Sequence, residues 1–271
     1  MHSFSVLLSL YHKESPVYLS QSLDSVFNQT MPPAEVVLVE DGPLTDELYA
    51  VVETYRSKYP QLKVVKLPQN GGLGKALNVG LQHCSYELVA RMDTDDIAYP
   101  DRFEKQLHVF LSHPEIDLCG AWIAEFEGDI SHVVSVRKVP EMQSEIMRYA
   151  KRRNPINHPV VMFRKTAVFN AGGYQHFPLF EDYYLWVRML MDGACFYNLQ
   201  ECLLYFRLSK DMFKRRGGWR YALTELRLQR LFYRMRFIDM LLLLKNCAFR
   251  LVARLMPNCL RAMLYKRLIR S

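Results

Sequence analysis

Three aspartates stand almost side by side in the chain, directly after a short apolar run. Leu88-Val89-Ala90 is predicted to be a buried strand, and Asp93, Asp95 and Asp96 follow it. Residues two apart in extended backbone point to the same side, so Asp93 and Asp95 are expected to converge. Paired carboxylates are hard oxygen ligands that suit Mg²⁺ or Mn²⁺ shared with a diphosphate. The alternative is a solvated acidic turn that caps the helix expected near Pro100, with Asp96 as a cap or supporting group.

A second acidic pair lies among aromatic residues much further along the chain. Glu181 and Asp182 stand in the segment FEDYYLW, between Phe180 and Trp186. Apolar surroundings raise the pKa of a carboxyl group, which suits a general base. The alternative is a helix N-terminus, where the helix dipole favours acidic residues. At this point the sequence leaves both interpretations open.

Two further polar segments are candidates for contacts to a nucleotide. Glu40-Asp41-Gly42 follows an apolar run and is suited to hydrogen-bonding a base or a ribose. Residues 70–80, NGGLGKALNVG, form a glycine-rich turn that opens a helix. This turn lacks the third glycine of a dinucleotide-binding fingerprint, and no Ser or Thr follows Lys75 as a Walker A loop requires. A lysine on a helix N-terminus remains a candidate contact to a nucleotide.

The first hundred residues alternate between strand and helix patterns. Strands are predicted at 4–10, 35–39, 62–67 and 87–92, and helices at 18–28, 45–58 and 74–84. Strands that are apolar on both faces and separated by helices indicate a parallel sheet covered on both sides. Ligands bind at the carboxyl ends of the strands of such sheets. Asp41 and the Asp93–Asp96 cluster both fall at such ends, so we expect them to lie near one ligand.

The charge of this chain of 271 residues is unevenly distributed around a net +7. Residues 207–271 hold 17 Lys and Arg against 3 Asp and Glu, a net of +14, whereas the rest holds 18 against 25, a net of −7. A basic surface attracts nucleic acid or anionic lipid. The six cysteines show no metal-binding spacing, and the first residues show no secretory signal. We therefore expect a reducing, cytoplasmic location.

The basic C-terminal part is predicted to be helical and amphipathic. Arg227, Arg230 and Arg234 recur at helical spacing, as do Arg250 and Arg254, with Leu, Phe and Met between them. Charged residues interrupt its apolar stretch, and a membrane-spanning helix needs about 20 largely apolar residues. We expect a basic helix that lies on an anionic membrane surface. The alternative is a helix that packs against the acidic body of its own chain.

Five motifs, in this order and spacing, resemble the family 2 inverting glycosyltransferases of the GT-A fold. They are VLLSLYHKE, VVLVEDGPLTD, NGGLGKALNVG, ARMDTDDI and FEDYYLW, and the resemblance covers residues 3–208. The later segments NHPVVMFR and KRRGG, and the tail 257–270, resemble bacterial members that build capsule, exopolysaccharide or O-antigen repeats. The resemblance implies a Rossmann-like α/β fold, with a mostly parallel central sheet flanked by helices and a C-terminal helical basic tail.

The resemblance also implies roles for individual positions. Asp182 is implied to be the catalytic base, with Glu181 beside it, and Asp93 and Asp95 to hold Mn²⁺ or Mg²⁺. The implied contacts to the nucleotide sugar are Ser9, Glu14, Glu40, Asp41, Lys75, Asp93 and Thr94. Family members commonly have Asp-Asp-Gly-Ser where this chain has Glu-Asp-Gly-Pro, so the base contact departs from the family pattern there.

Four more residues are candidate contacts to an acceptor or a diphosphate. They are His158, Trp186, Arg207 and Arg215. Arginine suits a diphosphate because its planar guanidinium forms paired hydrogen bonds. The alternatives are a turn or core histidine at 158 and a solvated basic face for the two arginines.

The implied function is metal-dependent, inverting transfer of a hexose, with a UDP-sugar as the favoured donor. The implied acceptor is a hydroxyl of a growing polyprenyl-diphosphate-linked oligosaccharide in bacterial surface polysaccharide synthesis. Residues 1–208 are expected to form the glycosyltransferase domain, in which 1–100 bind the nucleotide and 101–208 the acceptor. Residues 209–271 are expected to form a tail on the inner face of the cell membrane. No nucleic-acid partner is expected.

From the residues alone, two other classes of protein remain compatible with the sequence. A nucleotidyltransferase that activates sugars has a similar sheet, but it usually carries a Gly-rich phosphate loop after the first strand, where this chain has Tyr11-His12-Lys13-Glu14. A nucleic-acid- or membrane-binding protein without catalysis would account for the basic tail. Nucleic-acid binding predicts aromatic residues among the basic ones, whereas here they cluster around 181–182.

Overall fold

The computed structural model describes residues 3–208 and 218–255. Within these residues nine strands form one sheet: β1 (Phe4–Leu10), β2 (Glu35–Glu40), β3 (Leu62–Lys66), β4 (Leu88–Arg91), β5 (Ile97–Ala98), β6 (Leu118–Phe126), β7 (Val133–Arg137), β8 (Met162–Arg164) and β9 (Phe196–Arg207). The α-helices of the same residues are α1 (Pro16–Phe27), α2 (Asp46–Lys58), α3 (Leu73–His83), α4 (Arg102–Ser112), α5 (Gln143–Ala150), α6 (Lys165–Asn170), α7 (Glu181–Met191), α8 (Trp219–Arg234) and α9 (Met240–Leu255). A short 3₁₀ turn covers His158–Val160.

The first four strands form a parallel half-sheet in the order β3-β2-β1-β4. Helices cover both faces, so alternate residues of one strand enter different cores: Val6 and Leu8 enter one, and Leu7 the other. The strands and helices predicted for the first hundred residues are confirmed to within two residues at each end. The direction of strand order reverses between β1 and β4, which is where ligands bind in such sheets.

The second half of the sheet is mixed. β8 lies between β4 and β6 and runs antiparallel to both, while β6 and β9 pair in parallel. β5 and β7 add antiparallel pairings to β9 and β6. The end of β9 returns to the loop after β4, where the backbone N–H of Arg207 donates to Asp96 Oδ1 at 2.9 Å. The long strand β9 therefore carries the second half of the chain back to the predicted acidic cluster.

Helix α3 lies close against β1 and β2 because it presents a glycine to them. A side chain on Gly80 would meet Leu7 and would come within 2.7 Å of Cγ2 of Val39, both in the core. The same helix begins at the glycine-rich turn, so this close contact holds that turn at the ligand-binding edge of the sheet.

The described part of the basic tail packs on the body of the protein. The Phe232 ring of α8 meets the Tyr183 ring of α7 edge to face at 5.0 Å. Leu228, Phe237 and Ile238 join the same core. Residues 218–255 therefore pack on the body of their own chain, as the second interpretation of the tail predicted, and their outward side chains are left exposed. None of the helices in the described ranges has the length and hydropathy of a membrane-crossing segment.

The close packing of α3 predicts that Gly80→Ala destabilises the protein. Overpacking a core costs roughly 1–3 kcal/mol, while the better helix propensity of alanine returns only about 1 kcal/mol. Gly74→Ala in the same helix is the matched control, because its added carbon would lie 3.4 Å from its nearest neighbour, Cγ of Glu181. Urea unfolding should give a lower free energy of unfolding for Gly80→Ala and an unchanged or higher one for Gly74→Ala. Equal values for the two variants would contradict the close contact.

Candidate active site

The acidic loop, residues 92–96 after β4, holds three carboxylates close together. Carboxylate oxygens of Asp93, Asp95 and Asp96 lie within 4.8 Å of one another. Burial, followed by the negative charges of Asp93 and Glu14, raises the pKa of Asp95 to about 7. Asp96 is fully buried, and burial raises the pKa of its carboxyl as well. The folded loop thus concentrates negative charge that a bound cation would stabilise.

Arg91, the last residue of β4, is the buried counter-charge of this loop. Its guanidinium donates to both carboxylate oxygens of Asp93, with Nη1 2.8 Å from Oδ2 and Nη2 bonded to Oδ1. The side chain is 1 % exposed. Arg91 was not among the residues predicted for the site, although a charged side chain inside an apolar strand is a local signal. Because Asp93 is paired with Arg91, Asp95 is the freer of the two predicted metal ligands.

A second buried arginine fixes the end of β4. Arg102 Nη2 donates to the backbone carbonyl of Arg91 at 2.7 Å, and Nε donates to Gln106 Oε1 at 3.1 Å. Burial, and then the positive charge of Arg91, lowers the pKa of Arg102 to about 9. Arg102 therefore holds the backbone from which the Arg91 side chain extends.

Arg207 binds the backbone of the acidic loop. Its Nε donates to the carbonyl of Asp95 at 2.8 Å and its Nη2 to Gln21 Oε1 at 2.6 Å. The guanidinium lies over the rings of Tyr18 and Phe126, at 3.9 and 4.6 Å from their centroids. The side chain was a candidate for a diphosphate contact or a solvated face. The Arg207 side chain is buried and hydrogen-bonded within the protein, so in this structure it supports the acidic loop and does not form a solvated face.

The loop after β1 is joined to the acidic loop through Glu14 and Thr94. Thr94 Oγ1 donates to Glu14 Oε2 at 3.1 Å and approaches the carbonyl of Ser9 at 3.4 Å. Glu14 Oε1 accepts from the backbone N–H of Ser15 at 2.8 Å, and burial raises the pKa of Glu14. The Thr94 side chain is buried, so the predicted nucleotide contact is corrected for this hydroxyl. For Ser9 and Glu14 it stays a prediction.

Asp41 holds the glycine-rich turn against the end of β2. Its Oδ1 accepts from the N–H of Gly71 at 2.7 Å and its Oδ2 from that of Gly72 at 3.0 Å. Lys75 is exposed in the first turn of α3, and its stem lies against Gly71. The structure thus brings two predicted nucleotide contacts to one loop, while their contact with a nucleotide stays a prediction.

Glu40 faces away from this loop, although it precedes Asp41 directly. Its Oε2 lies 3.5 Å from Lys66 Nζ, and the side chain is buried. It lines a cavity of about 350 Å³ between β2, β3 and α2. The two acidic residues therefore do not converge on one ligand.

Asp182 is the second residue of α7, a half-buried carboxylate with a dedicated hydrogen-bond donor. Its Oδ2 accepts from Asn154 Nδ2 at 2.7 Å. Burial raises the pKa of Asp182, while the backbone N–H of Tyr183, the Asn154 amide, and the charges of Arg137 and Arg91 act in the opposite direction. A carboxyl in this state can accept a proton, as the base interpretation requires. Asn154 had no signal in the sequence, because only the fold brings it to Asp182.

Glu181 stands beside Asp182 where the first turns of α3 and α7 meet. A side-chain carbon on Gly74 would lie 3.4 Å from Cγ of Glu181. Glu181 is half-buried, and burial raises the pKa of its carboxyl. Asn78 of α3 also exchanges hydrogen bonds with the backbone of Tyr174, at 2.6 and 2.8 Å. The first turns of α3 and α7 thus lie side by side, and Asn78 joins α3 to the segment that precedes α7.

His158 lies inside the site rather than in a distant turn. Its Nε2 is 2.8 Å from the Tyr174 hydroxyl, and burial followed by the charge of Arg91 lowers the pKa of the imidazole. Trp186 packs edge to face on His158 at 5.7 Å between ring centroids. Trp186 was predicted to contact the acceptor. Its side chain is fully buried and supports the His158 ring, and the acceptor contact stays a prediction.

Shared electrostatic partners place the acidic loop and the candidate base in one site. The positive charge of Arg91 acts on Asp93, Asp182 and His158, and the Tyr174 hydroxyl senses both Asp93 and Asp182. A Coulomb interaction weakens with distance, so groups on which the charge of Arg91 acts noticeably lie in its neighbourhood. The two acidic motifs, distant in sequence, therefore face one space around Arg91.

The acidic loop fits a divalent metal by its own chemistry. It offers hard carboxylate oxygens at mutual distances that one ion can bridge. Asp95 supplies the freer carboxylate, and Asp93 retains lone pairs beyond its bonds to Arg91. Arg215, predicted to contact a diphosphate, lies outside the described residues, as does the rest of the KRRGG segment except Gly218.

The chain is similar along most of its length to known glycosyltransferases. The family model for glycosyl transferase family 2 matches residues 5–172. The UDP-Gal:alpha-D-GlcNAc-diphosphoundecaprenol beta-1,3-galactosyltransferase of Escherichia coli is 40% identical over 98% of this chain and 96% of its own length. The amylovoran biosynthesis glycosyltransferase AmsE of Erwinia amylovora is 42% identical over 97% of this chain and 98% of its own.

A solved structure shares the fold. The S. aureus TarS fragment 1–349 in complex with UDP-GlcNAc matches with a TM-score of 0.64 and 20% identity, over 96% of this chain and 69% of that one. This likeness confirms the GT-A-type α/β fold that the motifs implied. By the match of its family model and of relatives along nearly its full length, the chain belongs to glycosyltransferase family 2.

Proposed function

We propose that the protein transfers a hexose from a UDP-sugar to a hydroxyl of a polyprenyl-diphosphate-linked acceptor in bacterial surface polysaccharide synthesis, with inversion at the anomeric carbon. The Escherichia coli relative named for UDP-Gal and GlcNAc-diphosphoundecaprenol supports this donor and acceptor class. The amylovoran relative supports the polysaccharide context. Family membership favours glycosyl transfer over the nucleotidyltransferase and the non-catalytic alternatives.

The half-buried hydrogen bond between Asn154 and Asp182 is the observation that carries the proposal. Asp182 takes the proton of the acceptor hydroxyl, whose oxygen forms the new bond to the anomeric carbon as the bond to the nucleoside diphosphate breaks. The electron pair of that bond leaves with the diphosphate, so one in-line displacement inverts the centre. Asn154 and the N-terminus of α7 stabilise the ionised carboxylate before the transfer.

On the donor side, Asp95 and Asp93 hold Mn²⁺ or Mg²⁺ together with the diphosphate. When bound, the metal neutralises the charge that grows on the departing nucleoside diphosphate. Arg91 orients the Asp93 carboxylate through two hydrogen bonds, and Arg207 and Asp96 fix the loop. Ser9, Glu14, Asp41 and Lys75 lie on the surrounding loops as contacts to the nucleotide.

We further propose that α8 and α9 touch the anionic inner face of the cell membrane. α9 turns apolar side chains outward: Leu241, Leu244, Phe249 and Val252 are 59–64 % exposed. The exposed side of α8 carries Arg220, Arg227, Arg230 and Arg234. Apolar side chains beside basic ones suit insertion at an anionic lipid surface. Arg250, predicted on the basic face, is instead buried against the body.

The base assignment predicts that Asp182→Asn lowers kcat by about 10²–10⁴, because an amide cannot accept the proton. Transfer from UDP-galactose, with other UDP-, GDP- and dTDP-sugars as a panel, is scored on a synthetic GlcNAc-diphosphate lipid with Mn²⁺. Asp192→Asn, at the exposed far end of α7, is the matched control and should retain activity. Transfer by Asp182→Asn at the wild-type rate would contradict the mechanism.

The crowded acidic loop predicts opposite effects of Asp95→Asn on the metal-free and metal-bound protein. The folded state raises the pKa of Asp95 from roughly 4 to about 7, so this group costs stability as pH rises through that window and none below it. At about pH 8 without metal, Asp95→Asn should raise Tm, by roughly 2–4 °C for each kcal/mol of relieved repulsion.

The same substitution should shrink the rise in Tm that Mn²⁺ gives the wild type. Differential scanning fluorimetry with and without MnCl₂ measures both effects. Glu53→Gln, an exposed surface residue, is the control and should change neither value. If Mn²⁺ raised the Tm of Asp95→Asn as much as that of the wild type, Asp95 would not be a ligand of the metal.

The apolar outer side of α9 predicts binding to anionic vesicles. Flotation with phosphatidylcholine vesicles, with and without phosphatidylglycerol, should recover more protein when the anionic lipid is present. Leu244→Gln and Phe249→Gln should reduce that recovery. Leu111→Gln, also more than half exposed but on α4, should leave it unchanged. Equal recovery from both vesicle types would argue against the membrane contact.

A further inference from the structure

The side of α9 that faces the body carries two buried polar side chains beside Leu242 and Leu243, which pack on the core. Asn246 and Arg250 are both buried there. Asn246 Nδ2 donates to the backbone carbonyl of Lys151 at 2.8 Å, and Arg250 Nη2 donates to that of Arg152 at 2.5 Å. These two carbonyls belong to the turn that follows α5. The two buried side chains of α9 thus bind consecutive backbone groups of one turn.

Helix α8 holds these two side chains in place. Asn246 Nδ2 also donates to Gln229 Oε1 at 2.8 Å, and Arg250 Nε lies 3.6 Å from Glu225 Oε1. Burying a charged group costs several kcal/mol unless its partners are well placed, and an apolar side chain would pack as stably. Stability alone therefore gives little reason for this polar contact.

The turn bound by α9 leads directly to the candidate base. Two residues beyond Arg152, Asn154 donates to Asp182. On its other side the turn is held by α7, where the Tyr183 hydroxyl donates to the carbonyl of Ala150 at 2.6 Å. Hydrogen bonds thus tie α9 to the backbone of residues 151 and 152, and the same short segment carries Asn154, which donates to the carboxylate.

We propose that Asn246 and Arg250 are positioning residues, which fix the turn 151–154 so that Asn154 keeps its hydrogen bond to Asp182. The inference rests on the proposed function, because it takes Asp182 as the base. It gives the C-terminal helices a role in the reaction beyond contact with a membrane. It also joins the surface proposed to meet the membrane to the group that deprotonates the acceptor.

Loss of the hydrogen bond from Asn154 changes the pKa of Asp182 in a definite direction. The bond stabilises the ionised carboxylate, so its loss raises the pKa of Asp182 and moves the acid limb of the kcat profile to higher pH. The other charged and titratable groups that act on Asp182 are Glu181 of α7, Arg91 of β4, Arg137 of β7 and the hydroxyls of Tyr174 and Tyr183. None of them changes in the variants below.

The test is a carbon-13 NMR titration of the Asp182 carboxyl in the full chain, assigned by its absence in Asp182→Asn. Arg250→Met should raise the pKa of Asp182 in the same direction as Asn154→Ala. Because both act through one bond, the double variant should titrate like Asn154→Ala alone. Lys245→Met, an exposed residue of the same helix, should titrate like the wild type. Asn246→Leu, of similar size, is the second variant if Arg250→Met does not fold.

Kinetics supply the second readout. With UDP-galactose and the GlcNAc-diphosphate lipid in detergent, Arg250→Met should lower kcat by roughly ten- to a hundredfold, with KM for the donor unchanged. A wild-type titration in both α9 variants, or additive shifts in the double variant, would overturn the inference. A wild-type titration in Asn154→Ala would overturn it as well. An unshifted kcat in Asp182→Asn would instead refute the proposed base, independently of the titration.

Discussion

The ion pair between Arg91 and Asp93 is the interaction on which the rest of the site depends. Arg91 ends the central strand β4 with its guanidinium buried, and it donates to both oxygens of Asp93. Its charge also acts on Asp95, Asp182 and His158. A buried cation is therefore shared by the loop suited to a metal and by the group suited to accept a proton. Without it, several carboxylates in one low-dielectric space would favour their neutral forms.

This arrangement is not optimal for stability. Asp96 Oδ2, Arg102 Nη1 and Arg91 Nε are buried without a hydrogen-bond partner within the described structure. Each such atom costs about 1–3 kcal/mol, and more when it is charged. The apolar cores on both faces of the sheet offset this cost, since Leu7, Leu8 and their neighbours are fully buried. The protein thus maintains a charged, preorganised loop on a rigid apolar base, as electrostatic catalysis requires.

Distant parts of the chain converge on this loop. Arg207 at the end of β9 holds its backbone, Thr94 ties it to the β1 loop, and α3 contacts α7 where Glu181 begins that helix. Helix α9, supported by α8, is connected to the same site, because it binds the turn that leads to Asn154. Binding at one end of this network is in a position to affect proton transfer at the other.

The sequence by itself determined the parallel half-sheet, since runs apolar on both faces indicate strands covered by helices. It also singled out candidate site residues, Asp93 and Asp95 through their spacing and Asp182 through its place in the series of family motifs. Tertiary structure decided what these residues touch. Asn154 and Asn246 act through partners distant in sequence, and local patterns do not encode such contacts. The tertiary structure also decided that Trp186 and Arg207 are buried. The sequence could not show this, because an aromatic residue or an arginine looks the same in a sequence whether it faces a ligand or the core.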